Sequence, residues 1–163
     1  MDKCEDCSGL EELRKEYGKI KEKYELPEFS DLNKLFDVED IEVDTEFLLR
    51  KFRRVISERI AGYLRFIEII LNPSNAPMFF FKMIKKLEEE DRKNLSEVYD
   101  VLGKFELDLL SLDIDYFEVR EAEFIKNVYE VFENDVKVKL LVVVDRMGND
   151  SEGVKKDGNG YVG

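Results

Sequence analysis

The chain has 163 residues, of which 44% are hydrophobic and 39% are charged, and its formal net charge at pH 7 is −12. This length and apolar content are those of one folded domain and exclude a disordered chain, while the negative charge disfavours generic binding to nucleic acid. Histidine is absent, so any catalysis would depend on carboxylates, Lys, Tyr or Cys.

The same composition bears on environment and location. Glu, Lys and Arg are abundant while Gln, His and Trp are absent, a combination typical of thermophilic proteins. The first residues are acidic and polar, unlike a secretory signal, and no apolar run reaches the ~18 residues of a membrane span. We therefore expect a cytoplasmic protein with no membrane segment and no cofactor.

The first helix is predicted to begin at a capping box, residues 8–11, and to end near Tyr24, before Pro27. Its apolar residues repeat at steps of three and four, which indicates one face packed on a core. They are Leu10, Leu13, Tyr17, Ile20 and Tyr24. The acidic residues 28–43 are predicted to be a connector containing one short helical turn.

A long second helix is predicted after Asp44, a candidate cap, with Val43 and Leu48 placed to form a hydrophobic staple. Asn72 and Pro73 end it. Its core-facing residues again follow the helical period. They are Leu49, Phe52, Ile56, Ile60, Tyr63, Ile67 and Ile70.

Three further helices are predicted. A short apolar one spans Met78 to Leu87, and one of about 20 residues begins near Asp91. The latter has the most regular apolar spacing in the chain, at Leu95, Val98, Leu102, Phe105, Leu109 and Leu112. The last opens at Asp115, with Glu118 three residues on, and ends at Asn134-Asp135.

Residues 136–144 differ from everything before them. They alternate at period two and then become rich in valine, which favours a β-strand. Five of the nine glycines follow, with two hairpin-type turn dipeptides, Asp157-Gly158 and Asn159-Gly160. The predicted fold is therefore mainly α: an antiparallel bundle of about five helices over residues 1–135. A short β-strand or hairpin-like tail over residues 136–163 either belongs to this domain or is a frayed end.

Cys4 and Cys7 have the two-residue spacing of zinc-binding and redox pairs. Structural zinc needs four ligands, and the chain offers neither a second such pair nor histidine. The site would have to be shared between two subunits. The alternatives are a redox disulfide, disfavoured by the intervening acidic residues, and two thiols with no special role.

One basic cluster stands out, because residues 44–71 hold six bases and four acids in an acidic chain. Its members are Arg50, Lys51, Arg53, Arg54, Arg59 and Arg65. They lie near a predicted helix N-terminus, where cations are electrostatically disfavoured. They either pair with the acidic segments 37–46 and 88–91 or form an anion site for a nucleic acid, a nucleotide or an acidic partner segment.

Two other groups are candidates for function. Met78, Phe79, Phe80 and Phe81 are apolar around most of a short helix, so they are either deeply buried or form an interface with a partner. Asp113 and Asp115, followed by Glu118 and Glu121, resemble a weak metal-binding pattern. Because Asp115 is also a predicted helix cap and no phosphate-binding glycine loop is present, the pattern is more simply structural.

The order of elements also resembles the layout of GINS-type replisome subunits. The likeness rests on Arg53, Arg54, Arg59 and residues 63–65 in a helical domain, followed by a valine-rich strand start and Asp157-Gly158. It implies an acidic helical domain with a small β domain appended. An additional helix at 116–133 and a truncated β domain depart from that layout.

The sequence favours a non-enzymatic structural or protein-interaction subunit that self-associates. A nucleic-acid-associated or replisome-type subunit that binds through residues 50–65 is the alternative. A carboxylate-dependent metal enzyme is the second alternative. We expect a second copy or another protein as the partner, and nucleic acid is disfavoured by the net charge.

Overall fold

The computed structural model describes residues 5–43 and 46–149, and for residues 5–7 it describes the backbone alone. This part of the chain is helical, which confirms the predicted mainly α class. The α-helices are α1 (Glu5–Tyr24), α2 (Phe29–Phe36), α3 (Leu48–Leu71), α4 (Met78–Ile84), α5 (Glu89–Ile114), α6 (Glu118–Val131) and α7 (Lys137–Gly148). A 3₁₀ turn, Pro73–Asn75, precedes α4, and a π-helical segment, Phe132–Val136, joins α6 to α7.

Three long rods form the frame of the bundle: α3, α5, and the continuous rod made by α6, the π segment and α7. Arg53, near the start of α3, contacts Asp113, near the end of α5, so these two helices are antiparallel. Arg146, near the end of α7, contacts Asp91, at the start of α5, so the third rod is also antiparallel to α5. The rods therefore run up, down and up, as an antiparallel bundle requires.

The core lies between these rods and follows the predicted apolar spacing. Every predicted core residue of α5 is buried, and so is every one of α3 except Tyr63, which is partly buried. Burying a large aliphatic or aromatic side chain contributes roughly 1.5–3 kcal/mol. These two seams therefore account for much of the driving force for folding.

Helices α1 and α2 cover the N-terminal half of α3. The Tyr17 ring packs against Phe29 of α2 and Phe52 of α3, and its hydroxyl donates a 2.6 Å hydrogen bond to the Pro27 carbonyl. Phe36, at the end of α2, packs on Phe132 of the π segment at 5.1 Å between ring centroids. Helix α2 thus packs on α3 and reaches the π segment at its C-terminal end.

Several predicted helix starts are wrong. Helix α1 already includes Glu5, so the capping box at residues 8–11 lies inside it, because the residues before Ser8 are compatible with helix. Helix α6 begins at Glu118, and Asp115 instead ends α5. Helix α3 begins at Leu48, and the predicted cap Asp44 lies outside the described residues. Short cap patterns recur by chance in a chain this rich in acidic residues.

The predicted strand at residues 136–144 is also wrong, as is the predicted helix end at Asn134-Asp135, because the π segment and α7 cover this stretch. Val136, Leu140, Val143 and Met147 are buried at steps of four, three and four. Burial on a helical period outweighs the small helix penalty of β-branched residues. The β domain implied by the GINS-type likeness therefore does not begin here, and the glycine-rich tail lies outside the described residues.

Candidate interaction surfaces

The side chains of α4 are largely exposed. Met78 is 84% exposed and Phe79 is 65% exposed, while Phe81 is also on the surface and Phe80 is partly buried. Ile84 anchors the end of the helix in the core. Of the two alternatives for this segment, burial and an exposed apolar surface, the structure shows the second for most of its residues.

The outer side of α7 continues this apolar character. Val138, Leu141, Val142 and Val144 are each about half exposed. Helix α4 packs against α7. We call these four residues together with Met78, Phe79 and Phe81 the α4–α7 surface. Neighbouring exposed apolar residues such as these often mark interaction sites on a monomer.

A groove of about 410 Å³ lies beside this surface, between α3 and α7. Its lining is mostly apolar and is provided by Glu58, Arg59, Gly62, Tyr63, Phe66, Leu140 and Val144. The groove begins where α2 ends, since Asp37, just after α2, pairs with Arg59 at 3.1 Å. The end of α2 therefore lies next to the groove.

A second apolar stripe runs along α5. Leu107, Leu110 and Ile114 follow each other at steps of three and four, and Ile114 is 79% exposed. Exposed Phe117 continues the stripe past the end of the helix. The stripe is out of phase with the core seam, so α5 is apolar on two faces. The sequence contains both apolar patterns, but the core seam is longer and more regular, so only that seam is predicted from the sequence.

The basic cluster does not form one surface. Arg53 is only 1% exposed, with Nε 2.5 Å from Glu121 Oε2 and Nη2 2.9 Å from Asp113 Oδ1. Glu121 is fully buried. Burial raises the pKa of Glu121, and the opposing effect of Arg53 does not cancel this. The pair joins α3 to α6 inside the bundle.

The other bases of the cluster lie elsewhere. Arg50 stacks on the Tyr116 ring, with 4.6 Å from its guanidinium carbon to the centroid. Lys51 Nζ donates to the Glu42 carbonyl at 3.0 Å. The Arg59–Asp37 pair agrees with the predicted pairing with the acidic segment 37–46. Glu88 and Asp91 of the segment 88–91 instead pair with Arg146, which is outside the cluster. Arg54 and Arg65 point outward and are exposed.

The carboxylates of the weak metal pattern separate in the same way. Asp113 and Glu121 hold Arg53, while Asp115 is exposed at the end of α5 and Glu118 lies 3.8 Å from Lys23. Within residues 5–43 and 46–149, no three potential metal-binding side chains converge. Cys4 and the side chain of Cys7 lie outside the described part of the chain.

None of the helices in the described ranges combines the length and the apolar composition needed to cross a bilayer. Comparison with models of protein families, with curated proteins and with solved structures finds no significant match for this chain.

Proposed function

We propose that this protein is a non-enzymatic helical subunit that acts by binding other proteins and that self-associates. The observation that carries the proposal is the α4–α7 surface, which leaves apolar side chains in water on two neighbouring helices. Covering these side chains with another apolar surface would remove them from water, which favours association.

The extent of the surface fits a second copy, because its exposed apolar residues lie on two neighbouring helices. Its large residues, Met78 and Phe79, are of the types enriched at the centres of interfaces. A two-fold dimer would cover both copies of the surface at once.

The stripe on α5 supports the wider part of the proposal. Leu107, Leu110 and Ile114 present a regular helical seam to solvent, the pattern by which one helix packs on another. The stripe lies on a different rod from the α4–α7 surface. A dimer formed through α4 and α7 would leave it accessible to a different protein.

The surroundings of the candidate catalytic groups favour a binding role over catalysis. Glu121 has a raised pKa, as catalytic carboxylates often do, but it is fully buried against Arg53 rather than placed in a cleft. Arg50 packs against the Phe47 and Tyr116 rings. These side chains are used to hold the fold together.

The direct test is the mass of the protein in solution, measured by light scattering over a range of concentrations. We expect a dimer for the wild type and a shift towards monomer for Phe79→Ser and Leu141→Ser, which remove exposed apolar contacts. Leu107→Ser on α5 is the matched control, because it makes the same chemical change as Leu141→Ser at a leucine that is at least as exposed. A wild type that is monomeric throughout would contradict the proposal.

A further inference from the structure

We propose that the groove between α3 and α7 binds helix α4 of a second copy. In the resulting two-fold dimer, the α4 of each copy stays on its own α7 and also occupies the groove of the other copy. This inference rests on the proposed self-association and names the site and the segment that fills it. Three observations carry it: the shape of the groove, the charge of α4, and the closeness of the two in the fold.

The groove has the shape of a helix-binding site. Next to it, α2 packs on α3 with Phe29, Leu32 and Phe36 buried, and Phe36 contacts Phe132. The groove itself is lined by Tyr63, Phe66 and residues of α7, and no helix of the described residues fills it. Helix α4 has seven residues, about the length of α2, and carries exposed aromatic side chains of the same type.

The charges favour α4 as the occupant. Residues 72–87 contain three lysines and no acidic residue, in a chain with a net charge of −12. This makes α4 an element that can approach an acidic copy without repulsion. Glu58 lies exposed on the rim of the groove, and within the described residues neither Glu58 nor Lys82 takes part in an ion pair.

The positions of α4 and the groove in the fold allow a dimer in which both contacts form together. Helix α4 packs on α7, the helix that forms one wall of the groove, so both lie at the same end of the molecule. A two-fold axis that passes between α4 and the groove would bring each α4 to the groove of the other copy, so that both contacts form at once. At Gly62, in the groove wall, a Cβ would meet nothing within 4 Å, which leaves room for a helix to approach closely.

Gly62 also provides the sharpest test. Gly62→Glu places a charge in the apolar groove, and the open space around Gly62 means that the monomer can accept it. Gly18→Glu on α1 and Gly103→Glu on α5 make the same change at helical glycines that also have open surroundings. We expect Gly62→Glu to weaken dimerisation at least tenfold, while Gly18→Glu leaves the dimer unchanged, both measured by sedimentation equilibrium.

The outcomes separate this inference from the proposal on which it rests. A dimer that persists in Gly62→Glu and dissociates in Gly103→Glu would overturn the groove inference and move the interface to the α5 stripe, with self-association intact. A wild type that is monomeric would contradict both.

A second measurement depends on proximity rather than on loss of binding. Chains with Gly62→Cys are mixed with chains with Lys85→Cys, at the exposed end of α4, both in a background of Cys4→Ser and Cys7→Ser, and oxidised glutathione is added as the oxidant. We expect disulfide-linked pairs between the two kinds of chain. Gly103→Cys replaces Gly62→Cys in the control mixture, and linkage there that equals or exceeds that at Gly62 would overturn the inference.

Discussion

At the scale of single residues, the buried pair of Arg53 and Glu121 is the feature that the sequence least reveals. The two residues lie 68 positions apart, and no local pattern marks Arg53 as different from exposed Arg54. Arginine is seldom fully buried, so its placement in a basic run predicts a surface. Only the packing of α3 on α6 brings Glu121 to Arg53.

Removing one member of this pair is expected to be costly. Arg53→Ala leaves Glu121 buried without its partner, and the expected loss of unfolding free energy is about 3–5 kcal/mol. Urea denaturation measures it. The double variant Arg53→Met/Glu121→Leu, which replaces both charges by apolar side chains, is expected to be far closer to wild type. A small loss in Arg53→Ala would show that the pair does not hold α3 to α6.

The raised pKa of Glu121 predicts a pH dependence of stability. The folded protein binds the proton of this carboxyl more tightly than the unfolded chain, whose pKa is near the ordinary value of 4.5. The contribution of Glu121 to stability is therefore fully present below that pH and decreases as the pH rises through the raised folded pKa.

Glu121→Gln, which cannot titrate, is the reference for this effect. The unfolding free energy of the wild type minus that of Glu121→Gln is expected to fall as the pH increases from about 4.5 and then to become constant. Urea denaturation at a series of pH values gives this difference. A difference that rises over the same interval would mean that Arg53 dominates and that the folded pKa is lowered.

At the scale of elements, a helix could be predicted where the spacing of its apolar residues alone determines its structure. It could not be predicted where contacts with neighbouring helices determine the structure. Helices α3 and α5 have long, regular seams and could be located from the sequence. Helix α7 could not, because its valines favour a strand locally and its helical form depends on burial of Leu140 and Val143 against the bundle. The exposure of Phe79 likewise depends on what the fold leaves uncovered.

The helical state of α7 can be tested by substitutions that have opposite effects in a helix and in a strand. Val138 and Val142 are exposed, so their replacement by Ala mainly changes backbone propensity. In a helix each is expected to stabilise by about 0.5 kcal/mol, whereas in a strand each would destabilise.

These stabilities are best measured in the Gly62→Glu background, so that association does not contribute. Val143→Ala, at a fully buried position of the same helix, serves as the comparison and is expected to destabilise by about 1–3 kcal/mol. Loss of stability in both Val138→Ala and Val142→Ala would contradict a helical α7.

At the scale of the whole molecule, two forces act on association in opposite directions. Each copy carries a net charge of −12, so two copies repel each other at long range. The α4–α7 surface favours contact through apolar burial, which salt does not screen. The effect of ionic strength on self-association should therefore show whether apolar burial or ion pairing holds the two copies together.

We expect the dimer dissociation constant to decrease as NaCl is raised from about 20 mM to about 500 mM, because the Debye length falls from about 20 Å to about 4 Å and repulsion is screened. Binding to nucleic acid through exposed Arg54 and Arg65 would show the opposite trend, weakening with salt. Dissociation of the dimer at high salt would indicate that ion pairs, rather than apolar side chains, hold the copies together.

The measurement that bears most directly on the proposed function is the mass of the wild-type chain by sedimentation equilibrium at micromolar concentration. Self-association through the α4–α7 surface predicts a species of twice the chain mass of 19.2 kDa. A single species of 19.2 kDa at every concentration would contradict it.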